Sequence, residues 1–317
     1  MTSLVASVVE NQRALAESRG RRWNVRRAPR GQSPRGIERA YRAAMQRILV
    51  AVRDDIREVI VPEIPRLLRA AGHMDSMRVD VEDIEASLAT GSQTLTARVN
   101  NRHLRDLEVL VSQYGAETST RHRQELIRQI RSMIGVDAFP IAGAAEATAL
   151  NGFVVANRKA IIGLTTEYVS QVEDIVRRGV QAGDRAVLLQ KQIEGRFGMF
   201  TRRSALIARD QVNKLNGNLA KARQTSLGVE KYVWRTSRDE RVRESHLVKE
   251  GRVYAWNDPP ADTGHPGQDY QCRCTAEPYI PGASPPSEDR RAVIREVRAQ
   301  RERLRGELGA RRRGRAR

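Results

Sequence analysis

Apolar residues recur every three or four positions along most of this chain, and that spacing constrains its fold more than any other feature. The clearest case is a stripe in which successive members are three or four residues apart: Ile37, Tyr41, Met45, Ile48, Val52, Ile56 and Val59. An α-helix turns once in about 3.6 residues, so these side chains share one helical face. Pro62 and Pro65 are expected to end or kink this helix.

Similar stripes predict further helices in five stretches: 81–111, 126–134, 161–176, 184–194 and 201–227. Only 4% of the residues are aromatic, so the core must be built mostly of Leu, Ile, Val and Ala, a composition that favours helices over a β-sandwich. The expected fold class is mainly α, with an elongated helical bundle or hairpin region.

The pattern changes after Gly228. Three segments, 230–236, 251–256 and 273–280, are rich in β-forming residues, and the connection between the last two contains several prolines and glycines. This change in composition predicts a small C-terminal α+β module after the helical region.

Charge is concentrated at both ends of the chain. Lys and Arg number 56 against 38 acidic residues, a net charge of +18. Ten arginines and two glutamates lie between Arg13 and Arg42, and twelve arginines and five acidic residues lie between Ser287 and Arg317. This excess predicts an anionic partner such as nucleic acid, with a solvated Arg-rich surface as the alternative. The proposed nucleic-acid contacts are Arg21, Arg22, Arg26, Arg27, Arg311, Arg312 and Arg313.

These patterns suggest four successive parts. They are an extended or partly disordered basic arm (1–35), a helical domain (36–183), the α+β module with its preceding helices (184–280), and a linker with a basic tail (281–317). No apolar run approaches the length needed to cross a bilayer, and no secretory signal is evident, so a soluble protein without a membrane partner is expected.

Four potential metal ligands, His246, His265, Cys272 and Cys274, fall within fewer than thirty residues. Two imidazoles and two thiolates form a complete tetrahedral zinc set, so a structural zinc ion is the one cofactor that the sequence suggests. The alternative is packing without metal, because Cys-Arg-Cys is shorter than the usual Cys-x2-Cys and, in a strand, would direct two small side chains to one face.

A catalytic use of the same residues, as a Cys–His nucleophile pair or a metal-dependent nuclease, is the least favoured hypothesis. Nothing in the sequence obviously lowers the thiol pKa, and a zinc ion that needs all four ligands has no open position. The other histidines, His73, His103 and His122, are expected to be surface or packing residues.

A charged segment, DERVRESH, precedes and includes His246. We expect Asp239 to cap free amides in a tight turn that enters a short helix, and Arg241 to pair with a carboxylate. A structural role is favoured over ligand binding.

The order of residues in this region resembles the phage head-morphogenesis family typified by the F protein of phage Mu. The shared elements are Trp234, Asp239, Arg241, His246, Gly251, the His265-Pro266 pair and the Cys272-Arg273-Cys274 segment, preceded by a helix with Arg209, Asp210, Asn213 and Asn216. The resemblance covers residues 184–280. The family usually has Glu in place of Asp210, and its His-Pro pair lies closer to the first cysteine, which weakens the assignment of His265 as a ligand.

The resemblance implies a non-enzymatic minor head protein that acts at the portal vertex or inside the head, in procapsid assembly and genome packaging or delivery. Its expected partners are the portal protein, the major capsid or scaffolding protein, and packaged DNA bound non-specifically. It would be located in the virion, and in the host cytoplasm during assembly. The alternative is a metal-dependent nuclease or toxin-like transferase that uses His246 and the Cys-Arg-Cys segment. A zinc-stabilised DNA-binding regulator is disfavoured because no recognition-helix motif accompanies the cysteines.

Overall fold

The protein is described by a computed structural model that covers residues 4–72, 81–98, 104–140, 143–283 and 290–315. The helices are α1 (Leu4–Ser18), α2 (Arg35–Val59), α3 (Ile64–Gly72), α4 (Val81–Arg98), α5 (Leu104–Ile134), α6 (Ala144–Gln181), α7 (Ala186–Ser226), α8 (Glu244–Leu247) and α9 (Arg290–Arg315). The strands are β1 (Lys231–Arg235), β2 (Val253–Ala255) and β3 (Thr275–Tyr279). The predicted fold class, mainly α with a small α+β module, is confirmed.

The apolar stripe of α2 behaves as its spacing predicts. Its members from Ile37 to Ile56 are buried, and Val59 is half-buried at the last residue of the helix. A short 3-10 turn, Val61–Glu63, follows and contains Pro62, which lacks the amide hydrogen that a continuing helix would use.

The chain forms two compact units that are not consecutive segments of the sequence. The first unit contains Met1–Arg35, Ala116–Gly152 and Val212–Arg317, and the second contains Gly36–Gly115 and Phe153–Gln211. Each unit groups residues that pack together, whereas the predicted boundaries at residues 36 and 184 divide the chain into consecutive segments. Those boundaries therefore stay predictions.

The second unit has an aliphatic core with a few aromatic rings, among them Tyr168 and Phe200, whose centroids are 5.0 Å apart. A buried polar contact lies in the same unit, where the Tyr41 hydroxyl donates to Asn157 Oδ1 at 2.8 Å. This contact satisfies both groups away from water, as burial of polar atoms requires.

The N-terminal segment begins with helix α1, so the prediction of an extended arm was wrong for residues 4–18, whereas residues 21–34 have no regular secondary structure. Helix α1 buries Val5 and Val9, which are four positions apart and therefore share a face. Farther on, Val25 is buried and the Arg26 amide donates to Met133 O at 2.9 Å. A few apolar residues among the arginines anchor the segment, although its overall composition is typical of disorder.

Helix boundaries differ from the predictions where glycines lie in helices. The two helices predicted within 184–227 are one helix, α7 (Ala186–Ser226), and Gly195 and Gly198 lie within it. Each helical glycine costs about 1 kcal/mol relative to alanine. Burial of Ile193 and Phe200 on either side offsets that cost, since packing supplies most of the stability of a helix.

The C-terminal segment forms α9, which is longer than the short helix predicted there and extends to Arg315 rather than ending in a frayed tail. Val297 of α9 packs with Val242 and Leu247, and Arg301 Nη1 lies 3.0 Å from Glu244 Oε2. The predicted linker at 281–286 lies partly outside the described residues, which end at 283 and resume at 290.

The three predicted strands form one antiparallel sheet in the order β2-β1-β3. Tyr232 of the central strand lies opposite Tyr254 on one side and Pro278 on the other. Within the part of the chain that the structure describes, no helix combines the length and apolar character needed to cross a membrane.

Candidate functional site

The central strand β1 organises the site. Tyr232 and Trp234 are two residues apart, so they project from the same face of the sheet, and both are fully buried. They pack in a cluster with Trp256, Cys272 and Cys274. The Tyr232 and Trp256 rings are 4.3 Å apart, which makes this aromatic cluster the core of the module.

The connection between β2 and β3 lies against helix α7 at a point where two backbones approach closely. A Cβ atom on Gly217 would lie 2.3 Å from Pro266 O, and one on Gly267, whose φ is +90°, would lie 2.6 Å from Asn213 O. Both positions therefore require glycine, and the part of α7 within the first unit packs closely against this connection.

Three buried side chains, His246, Cys272 and Cys274, meet beside Trp234. His246 Nδ1 is 3.4 Å from Cys274 Sγ and 3.5 Å from Cys272 Sγ, and one ligand atom from each residue lies within 4.8 Å of the others. The backbone amides of Gly267 and Cys274 donate to Cys272 Sγ at 3.3 and 3.4 Å.

The cysteines precede β3 rather than lying in it, so the alternative in which a strand directs both side chains to one face does not apply. Gln271 has a φ of +57°, and this left-handed residue turns the chain so that both sulfurs face His246. The result is a pair of converging thiols that belongs to a turn.

The opposite side of the imidazole is also occupied. His246 Nε2 lies 2.9 Å from Asp269 Oδ2, and the Arg243 guanidinium pairs with the same oxygen. The imidazole edge packs against the Trp234 ring with centroids 5.6 Å apart. Asp269 and Trp234 therefore hold the ring in one orientation, with Nδ1 towards the sulfurs.

These contacts change the acidity of the two thiols in opposite directions. The pKa of Cys272 is held well below its usual value by a hydrogen bond from Cys274, and then by His246 and the Gly267 amide, which outweigh burial. Burial, together with the neighbouring Cys272 sulfur, raises the pKa of Cys274. No obvious sign of this low pKa was present in the sequence, because Cys274 and His246 contact the Cys272 sulfur only in the folded chain.

His265 does not join this group. It is buried, its Nδ1 lies 3.0 Å from the Tyr232 hydroxyl, and its ring packs 4.9 Å from Trp256. Burial lowers the pKa of His265 and so favours the neutral imidazole. The structure thus brings together three of the four predicted ligands and places the fourth in the aromatic core.

Asp239 has the capping role predicted for it and a further partner. Its Oδ1 accepts a hydrogen bond from the Arg241 amide at 3.1 Å, in the turn that leads to α8. Its two carboxylate oxygens also pair with the Arg273 guanidinium, each at 2.7 Å. The middle residue of Cys-Arg-Cys is therefore anchored to the Asp239 turn, and this bidentate contact helps to place both cysteines.

Two other motif residues lie away from this group. Arg241 is largely exposed and pairs with the neighbouring Glu240 at 3.3 Å, as predicted for a carboxylate partner. Arg209 belongs to the second unit, where its Nε donates to Glu38 Oε1 at 3.0 Å. Neither contacts the thiols through these interactions.

A buried ionic network that the sequence did not reveal supports the opposite side of the sheet. Arg235 Nε donates to Glu277 Oε2 at 2.6 Å, and Glu250 Oε2 accepts from the amide and hydroxyl of Thr236 at 2.6 and 2.7 Å. The Gly31 amide donates to Glu277 Oε1 at 3.1 Å. Burial raises the pKa of Glu277, although Arg235 opposes that change. In the sequence, the apolar Trp234 is followed by the charged Arg235. Because neighbouring residues of a strand project to opposite faces, this order indicated an apolar face and a charged face of the sheet.

The predicted nucleic-acid contacts are only partly described. Arg21, Arg22 and Arg26 are exposed, and Arg27 is half-buried. The side chains of Arg311, Arg312 and Arg313 lie outside the described residues, although α9 includes their backbone.

Of the remaining histidines, His73 and His103 lie outside the described residues. His122 Nδ1 lies 3.2 Å from Arg223 Nη1, and burial lowers the pKa of His122 to about 3. A neutral imidazole beside a buried guanidinium agrees with the packing role predicted for His122.

Comparison with known proteins identifies the region around the site. Residues 170–277 match the family model described as Phage Mu protein F like protein. This match confirms the resemblance predicted for 184–280, and the matched region begins earlier, within α6. A protein of Haemophilus influenzae named only "Uncharacterized protein" is 38% identical over 131 residues, which cover 41% of this chain and 29% of that protein. The match therefore spans less than a third of the relative's length. No solved structure matches the chain.

Proposed function

We propose that this protein is a minor head protein of a phage, which acts in head morphogenesis at the portal vertex and contacts packaged DNA through arginines on its surface. In this proposal it is an assembly component rather than an enzyme. It would bind the portal protein and the major capsid or scaffolding protein, and remain inside the assembled head.

The observation that carries the proposal is the match of residues 170–277 to the Phage Mu protein F like family. The matched range includes all of α7, β1, α8 and β2, and β3 through Glu277. The match therefore includes the aromatic cluster of Tyr232, Trp234 and Trp256.

The burial of the reactive groups supports a structural role for the module. His246, Cys272 and Cys274 are 2%, 3% and 6% exposed, so a substrate would have to displace packed side chains to reach either thiol. Reactive cysteines in enzymes are usually at least partly accessible to solvent. The low pKa of Cys272 is then a consequence of its buried hydrogen bonds.

Contact with DNA is supported by the net charge of +18 and by the exposure of Arg21, Arg22 and Arg26. These arginines are presented by a folded segment, since the Arg21 amide donates to Ala16 O and the Arg26 amide donates to Met133 O, both at 2.9 Å. Arginines carried on an ordered backbone bind phosphates with less loss of backbone entropy than arginines of a disordered arm.

The assembly role is tested by removing the gene from the phage that encodes it and examining the heads formed in the host. We expect the protein in purified wild-type heads, at the portal vertex in an asymmetric reconstruction, and a loss of DNA-filled heads in its absence. DNA-filled heads that form at normal yield without the protein would contradict the proposal.

The DNA contact is tested by measuring the binding of duplex DNA across a range of salt concentrations. Replacing Arg21, Arg22 and Arg26 together by Ala should lower the slope of log affinity against log salt by about 1 for each phosphate that these arginines neutralise. The matched control replaces three exposed arginines of the second unit, Arg66, Arg69 and Arg196, and so removes the same charge. Equal reductions of the slope in the two triple variants would contradict a specific contact by the N-terminal segment.

The enzymatic alternative predicts a different result in a plasmid assay. Incubation of the purified protein with plasmid DNA and zinc or magnesium should leave the plasmid intact. Nicking that disappears in His246→Ala would replace the proposed assembly role of the module with a nuclease.

A further inference from the structure

We propose that His246 Nδ1, Cys272 Sγ and Cys274 Sγ bind one zinc ion, that Asp269 orients the histidine ligand, and that His265 is not a ligand. The arrangement of the side chains supports this site, and it does not depend on the proposed role in head assembly.

The distances agree with a tetrahedral zinc centre. Zinc binds nitrogen at about 2.0–2.1 Å and sulfur at about 2.3 Å. At a tetrahedral angle, these bonds place the nitrogen and the sulfur about 3.6 Å from each other. Nδ1 of His246 lies 3.4 Å from one sulfur and 3.5 Å from the other. A single proton on Nδ1 could be donated fully to only one of these sulfurs, whereas a cation interacts with both.

The surroundings of the ligands are those of a supported metal site. The Nε2 atom of His246 lies 2.9 Å from Asp269 Oδ2 on the side away from the sulfurs. A carboxylate in that position holds the imidazole in the tautomer whose Nδ1 lone pair is available to a metal. The Gly267 and Cys274 amides donate to Cys272 Sγ and stabilise the thiolate that zinc requires.

The ligand types select the class of ion. Two thiolates and an imidazole are ligands for zinc and other thiophilic metals, whereas magnesium and calcium prefer oxygen. The three residues supply three of the four positions of a tetrahedral zinc shell.

The site would hold together parts of the module that have little regular structure. His246 belongs to the four-residue helix α8, while both cysteines end the long connection between β2 and β3. A zinc ion would cross-link these two segments, so we expect zinc to raise the thermal unfolding midpoint of the full-length protein, whereas magnesium would not.

The first experiment measures the zinc content of the full-length protein, purified under reducing conditions from cells supplied with zinc. We expect one zinc per chain in the wild type and in His265→Gln, and a content near zero in His246→Ala and Cys272→Ser. Near-zero zinc in the wild type would overturn the proposal. Loss of zinc in a folded His265→Gln variant would overturn the three-ligand set.

A second pair of variants keeps all three ligands and so does not depend on whether a ligand variant folds. In competition with a chromophoric chelator, Asp269→Asn should bind zinc about 10–100-fold more weakly, as is typical of changes to groups that orient a ligand. The matched control, Asp262→Asn, changes a carboxylate of the same connection that pairs with Lys249 Nζ at 2.6 Å, and should leave the affinity unchanged. Equal affinities of the two variants would contradict the role of Asp269.

Cobalt substitution reports on the ligands directly. The wild-type protein reconstituted with Co²⁺ should show a thiolate-to-cobalt charge-transfer band in the near ultraviolet, which is lost in Cys272→Ser and in Cys274→Ser. A cobalt complex without this band would overturn ligation by the thiols.

Discussion

Arg235→Met tests whether the buried ionic network beneath the sheet stabilises the module. Arg235 is 1% exposed, and its Nε donates to Glu277 Oε2 at 2.6 Å. Methionine is similar to arginine in length and fills much the same space, but it cannot pair with Glu277. Among the described contacts, the Glu277 carboxylate then keeps its hydrogen bond from the Gly31 amide.

Breaking a buried ion pair by removing one partner costs about 3–5 kcal/mol of unfolding free energy, because a desolvated charge loses its compensation. Glu250 still accepts two hydrogen bonds from Thr236, so the loss is concentrated on Glu277. We therefore expect Arg235→Met to destabilise the first unit by about 3 kcal/mol, the lower end of that range.

The loss should depend on pH in a defined direction. Burial raises the pKa of Glu277, and removing Arg235 removes the largest of the interactions that oppose this change, leaving the Gly31 amide and the Arg30 charge. A carboxyl whose folded-state pKa lies above its unfolded value binds protons more readily when folded. The variant should therefore be most stable, relative to the wild type, below the unfolded pKa, and lose stability as pH rises from there through the folded pKa.

Urea unfolding followed by tryptophan fluorescence measures this effect in the relevant unit, since all three tryptophans, Trp23, Trp234 and Trp256, belong to the first unit. Arg128→Met is the matched control, because Arg128 is half exposed and pairs with Glu125 on the surface of α5, where the expected loss is below about 0.5 kcal/mol. A loss in Arg235→Met that is equally small, or that is identical at pH 5 and pH 8, would refute the reasoning.

Three further outcomes follow from the packing. Gly217→Ala should disturb the contact with Pro266 O and destabilise the first unit by about 1–3 kcal/mol in urea unfolding. The control, Gly195→Ala, places its new methyl group in open space in the same helix and should stabilise the protein by up to about 1 kcal/mol. Stabilisation by both substitutions would contradict the close approach of the two backbones at Gly217. Tyr41→Phe should cost about 1–3 kcal/mol in calorimetry because it leaves the buried Asn157 oxygen without its donor, and an unchanged unfolding temperature would argue against that bond. The two buried thiols should react with iodoacetamide at the rate of unfolding rather than at the rate of an exposed thiolate, and rapid alkylation of the native protein would contradict their burial.

The helices and strands were largely predictable because their signals are local. The stripe from Ile37 to Val59 predicts α2, and the three β-rich segments predict β1, β2 and β3. The errors arose where local signals conflict with packing. Gly195 and Gly198 suggested a break within what is one helix, and the charge of residues 1–35 concealed the apolar contacts of Val5 and Val25.

The site was identified in part from the sequence, since the residue types and their order already indicated His246, Cys272 and Cys274 as a group. The sequence could not exclude His265, because a loop of unknown course separates it from the cysteines. Nor could it reveal Asp269, whose role depends on which side of an imidazole it contacts.

The mainly helical class, the position of the small sheet and the resemblance to a family could be read from the residues in order, because periodicity and an ordered motif are properties of the chain. The contacts between polar groups depend instead on the folded arrangement. It placed His265 against Tyr232, joined Arg273 to Asp239, and brought His246 within 3.5 Å of both sulfurs. Such contacts join residues that are distant in sequence, and their geometry depends on how loops and helices pack against one another.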